Sequence, residues 1–96
     1  MSEIERIENE RAVRDYYREA ARLERGVLAA VRAGSLAGLP ADVRAISAAV
    51  LDLRESERGV AVDDVLVDRD DIRTQWVVLV MLRNGAHRSL AVTYPQ

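Results

Sequence analysis

Two clusters of charged residues and two isolated ones have side chains that could do chemistry. Arg11, Arg14, Arg18, Arg22 and Arg25 recur every three or four residues. On a helix that spacing sets them along one side, within roughly 80° of arc. Such a row of guanidinium groups can follow a phosphate backbone or an acidic protein. Residues 1–33 hold seven arginines and seven acidic residues, so the segment has no net charge. Glu10 with Arg14, Asp15 with Arg11 and Arg18, and Glu19 with Arg22 stand at ion-pairing distance along a helix. The stripe therefore reads first as a solvated face, and nucleic acid is the alternative partner.

Asp63, Asp64, Asp68, Asp70 and Asp71 form the second cluster. Grouped carboxylates can hold a hard cation or offer an acidic docking edge. The calcium-loop pattern fails, because counting from Asp68 its sixth position is Arg73 and its twelfth is Leu79. Aspartate is also common in turns and on edge strands for purely local reasons. Glu24 lies among apolar residues and could be a carboxylate of raised pKa, although pairing with an arginine or a tyrosine is the plainer reading. His87 is the single histidine, beside Arg88 near a turn.

The inventory narrows the chemistry. There is no cysteine, and all fourteen basic residues are arginine. Disulfides, thiolate sites, Schiff bases and the phosphate-loop lysine are thus excluded. With one histidine and no glycine-rich loop, a nucleophile, its base and an orienting group are hard to assemble. No catalytic residue, metal or cofactor is expected.

These residues need elements to position them. Ser2 and Glu5 form a capping box, so a first helix should run from about 3 to 33, ended by Gly34. Val13, Tyr16, Tyr17, Ala20, Leu23, Val27, Leu28 and Val31 make its core stripe, while Ile4 and Ile7 point nearly the opposite way. At 1.5 Å per residue this helix is ~45 Å long and must overhang a sheet of ordinary strands. A second helix, about 40–57, carries a narrow seam of Leu39, Val43, Ile46, Val50 and Leu53 and stops at Gly59. From Val60 the period changes to two. Strands are expected at about 60–67, with a bulge at Asp63 and Asp64, at 74–83, and at 87–94. The expected fold is α+β, two N-terminal helices packed on a three-stranded antiparallel sheet (ααβββ), in a single domain.

Asn84-Gly85 suggests a two-residue hairpin turn. That register sets Val77 with Val92, Leu79 with Leu90 and Met81 with Arg88 on the face toward the helices. It leaves Trp76, Val78, Val80 and Leu82 as a ridge opposite His87, Ser89, Ala91 and Thr93. A ridge of this size calls for a cover, which could be a second copy, a different protein, or the first helix itself if the two helices split between the faces. The expected function follows from it: a non-enzymatic protein–protein interaction module, an accessory or inhibitory protein, binding a partner or itself as a homodimer. It would bind through the Trp76 face or the acidic edge. The alternatives are nucleic-acid binding by the arginine stripe and a small carboxylate enzyme. The longest apolar run, Trp76 to Leu82, is too short to span a membrane, and the acidic start SEIERIENER is unlike a secretory signal. A cytoplasmic location without membrane contact is the matching expectation.

Overall fold

The computed structural model describes residues 2–95. The element order is α1 (Glu3–Ala33), α2 (Ala41–Ser56), β1 (Val62–Asp70), β2 (Gln75–Leu82) and β3 (His87–Thr93), the expected two helices and three antiparallel strands. At the start of α1, Ser2 Oγ accepts from Glu5 N–H and the Glu5 carboxylate accepts from Ser2 N–H. Gly34 closes the helix at φ 66°, its N–H donating to the carbonyls of Ala30 and Val31. Between these caps only Leu23, Val27, Ala30 and Val31 are buried, and every residue from Ser2 to Asp15 is exposed. The first ~20 Å of α1 therefore projects as an arm. The molecule is 53 Å long and its radius of gyration is 15.1 Å, against about 12.5 Å for a compact chain of this size.

Gly26 sits where α1 meets α2. A Cβ there would lie 3.2 Å from both methyl groups of Val43, so glycine permits a close crossing that any larger residue would push apart. The second helix stops through Arg58 and Gly59, both at positive φ. Arg54 ties the helix ends together by donating to the Val31 carbonyl at 3.2 Å. In the middle of α2 the Ser47 hydroxyl is fully buried, without a hydrogen-bond partner among the described residues.

The sheet order is β1-β2-β3. Helix α1 lies over β1 and against α2, and α2 reaches β3. The expected bulge is present as a register shift between Val62 and Asp64. It lets Val62 and Val65 both point inward, although they are three residues apart. Strand β1 continues to Asp70, past the expected end at 67, and the turn falls at 71–74.

The hairpin register differs from the expectation by one residue. Leu82 N–H donates to the Ala86 carbonyl, and Gly85 N–H to the Leu82 carbonyl. The loop is thus Arg83-Asn84-Gly85, with only Gly85 in the left-handed region at φ 88°. Asn84 accepts from Ala86 N–H through its side chain instead of adopting positive φ. A one-residue shift exchanges faces. Trp76 now pairs with Val92 and Val78 with Leu90, while β1 adds Val67 opposite Val78 and Val65 opposite Val80. Trp76, Val78, Val80 and Leu82, expected as the exposed ridge, are buried core under both helices. Val77, Leu79 and Met81, expected to face the helices, lie on the uncovered side.

Candidate functional site

The two edges of the sheet are built differently. On β1 the residues that bond to β2 alternate with residues whose backbone faces outward. The outward N–H groups belong to Val65, Val67 and Arg69, and each meets a carboxylate of the same chain. Asp64 Oδ1 accepts from Val65 N–H, Glu24 Oε2 from Val67 N–H and Asp68 Oδ1 from Arg69 N–H, each at 2.9 Å. Glu24 reaches the edge from α1, and this bond gives the carboxylate in the helix's apolar stripe a partner.

The aspartates of the acidic cluster also have partners within the chain. Asp63 pairs with Arg83 at 2.9 Å, and Asp68 also accepts from the Tyr16 hydroxyl. Asp70 accepts from Arg73 N–H and lies beside the Arg73 guanidinium. Asp71 binds Arg69 and the Tyr94 hydroxyl. Those bonds to Tyr94 and Arg69 hold the Asp71 carboxyl below its usual range. Burial, and then the bond to Asp71, pushes the Tyr94 hydroxyl up. Each of the five aspartates thus has a partner within the chain. Among the described residues no group of three or more His, Cys, Asp or Glu is arranged to hold a metal.

The β3 edge carries no comparable dressing. Tyr94 N–H reaches the Thr74 carbonyl and the Ala86 carbonyl receives Leu82 N–H, so even-numbered residues bond to β2. His87, Ser89, Ala91 and Thr93 turn their N–H and C=O groups outward, and all four are exposed. Of these groups the His87 carbonyl accepts from Arg88 Nη1, and Arg88 is ion-paired to Glu57, the C-cap of α2.

Between the edges lies the side of the sheet away from the helices. Its central strip is Leu66, Val77, Leu79 and Met81, with Leu66 48% and Val77 39% exposed. Asp64, Asp68 and Gln75 border the strip, as do His87, Ser89, Ala91 and Thr93. Periodicity alone missed this strip because the wrong turn length assigned it to the core. The valines of β1 held the missing signal: Val62, Val65 and Val67 all need one face, and Asp64, Leu66 and Asp68 occupy the other.

The arginine stripe lies on α1 opposite its buried side. Among the described residues none of its expected pairs within the helix closes to ion-pair distance. Arg22 instead reaches Asp42 of α2 at 2.6 Å. Burial pushes the Asp42 carboxyl up, but the bonds from Arg22 and from Val43 N–H outweigh it and leave that carboxyl below its usual range. Arg11, Arg14, Arg18 and Arg25 make no ion pair among the described residues. His87 is an exposed edge residue with no carboxylate bonded to it among the described residues.

Fold and surfaces together define a two-layer α+β protein with one covered and one open sheet face, one dressed and one bare edge, and a projecting helical arm. No described helix is long and apolar enough to cross a membrane. Comparison with protein-family models, with curated proteins and with solved structures finds no match.

Proposed function

We propose that this chain is a non-enzymatic protein–protein interaction module, a small accessory or inhibitory protein that binds a macromolecular partner on the open face of its sheet. The supporting observation is the Leu66, Val77, Leu79 and Met81 strip, apolar and uncovered although the same chain has two helices available. Apolar strips with polar borders are the usual form of a protein contact. The test compares purified wild-type protein with Leu66→Arg/Val77→Arg as bait in lysate of the native cells. Both side chains point to solvent, so the variant keeps the wild-type circular dichroism and melting temperature. A specific protein captured by the wild type and lost by the variant supports the reading; identical capture by both overturns it.

Nucleic-acid binding by the arginine stripe is the second reading, favoured by the four exposed arginines without ion pairs. It predicts affinity for a nucleic-acid duplex that falls steeply with salt and is lost in Arg14→Glu/Arg18→Glu. Binding that ignores both salt and these changes removes it.

A further inference from the structure

We propose that β3 is a self-pairing edge, and that two copies of the chain join β3 to β3 in antiparallel fashion to form one continuous six-stranded sheet, two copies of the three-stranded unit. This deepens the interaction-module reading and rests on it only in requiring a chain that associates. The contact uses backbone groups of β3, whereas partner docking uses side chains of the open face.

The outward groups of β3 belong to odd-numbered residues, so an antiparallel copy must set odd opposite odd. The register that engages the whole strand is symmetric about Leu90. It places His87 opposite Thr93 of the second copy and Ser89 opposite Ala91 of the second copy, and the reverse. Each of these residues then exchanges both its N–H and its C=O with the residue across. On the helix side Leu90 meets Leu90 of the second copy, and Arg88 lies opposite Val92 of the second copy.

The charges and shapes on the strand suit this register. No like charges stand directly opposite, and Arg88 is already neutralised by Glu57. On the open face serine meets alanine, so nothing bulky obstructs the join. The other edge excludes the competing arrangements. A strand arriving at β1 would have to displace Asp64, Glu24 and Asp68 from the amides they hold, and would bring clustered aspartates together. Head-to-tail stacking of β3 on β1, which would grow into an open fibre, is closed off by the same carboxylates, leaving the closed two-fold pair.

The experiment measures solution molar mass by light scattering for the wild type, Ala91→Pro and Val77→Arg. Proline at 91 removes an outward N–H but no bond within the chain, and an edge strand accepts it. The wild type should have twice the 10.7 kDa chain mass, as should Val77→Arg, while Ala91→Pro should be a folded monomer. Leu90→Cys supplies an independent readout in a chain without cysteine. Its Cα atoms would stand ~4.5 Å apart across the axis, within disulfide reach. It should cross-link under mild oxidation much faster than the exposed control Ala29→Cys, and this comparison decides if Ala91→Pro does not fold. A monomeric wild type at its solubility limit, a dimer that survives Ala91→Pro, or cross-linking no faster than the control overturns the proposal. A dimer dissociated by Val77→Arg but not by Ala91→Pro also overturns it, locating self-association on the open face. A monomer that still loses its partner on Leu66→Arg/Val77→Arg leaves the docking reading standing without this one.

Discussion

Strands β1 and β3 flank the same central strand, yet one edge is chemically closed and the other bare. On β1 the outward amides meet Asp64, Glu24 and Asp68. On β3 the residues His87, Ser89, Ala91 and Thr93 are exposed, and of their outward groups the His87 carbonyl accepts from Arg88 Nη1. An unpaired strand edge is a template for another strand, and natural proteins guard such edges with charge. Here the guarding is selective. The aspartates that look in sequence like a docking patch make bonds inside the chain, and the edge left without such bonds is β3, across the sheet from them.

The largest test concerns the core from which both edges hang. Val80 is fully buried, opposite Val65 of β1 and Arg88 of β3. Val80→Arg buries an unpaired charge and should cost more than about 4 kcal/mol, abolishing cooperative unfolding in a denaturant titration. Val77→Arg, on the same strand but facing out, should stay within about 0.5 kcal/mol of wild type. Equal effects of the two changes would mean that the faces are assigned the wrong way round.

The next test strips the guard from β1. Glu24→Ala leaves the Val67 amide without its acceptor and should cost about 1–3 kcal/mol. Adding Asp64→Ala and Asp68→Ala should make the apparent molar mass rise with concentration as a second usable edge appears. If Glu24→Ala is as stable as wild type and amide exchange at Val67 is unchanged, the capping bond has no weight.

A smaller effect is expected in the turn that sets β1 against β2. Thr74 holds φ at 48°, a region costly for a β-branched residue. Thr74→Gly should raise stability by up to about 1 kcal/mol, seen as a higher denaturation midpoint. A loss would show that the threonine side chain contributes more than its backbone costs.

The smallest is the acid response. Asp42 and Asp71 have carboxyls held below their usual range in the folded protein. Their contribution is present above the unfolded value of about 4 and fades as pH falls through the lower folded values. Both pairs are substantially exposed, so screening keeps the Asp42 part under about 1 kcal/mol. Asp42→Asn with Asp71→Asn should flatten stability against pH below about 4; an unchanged slope would assign the acid response to other carboxylates.

Much of the fold was readable from local patterns. The capping box at Ser2 and Glu5, the glycine stop at Gly34 and the bulge at the aspartates depend on residues a few positions apart, and the structure has each where it was expected. The arm of α1 follows from arithmetic on helix length. Which face of the sheet lies open was not readable, because it turned on one residue of hairpin register. Asn84-Gly85 fits a two-residue loop with both residues at positive φ, and equally a three-residue loop with Asn84 bonding forward through its side chain. Local energies do not separate these loops, and β2 is apolar on both faces, so its pattern could not arbitrate.

Amino-acid order alone settles the elements and their sequence along the chain, since these depend on residue type and short spacing. Long-range packing settles which side of the central strand is core, what each aspartate bonds to and which edge stays open. Val62, Val65 and Val67 of β1, with Leu90 and Val92 of β3, share the helix-covered side with Trp76, Val78, Val80 and Leu82. Burying all three strands' apolar sets together is a property of the assembled sheet, and no two-residue or four-residue rule contains it.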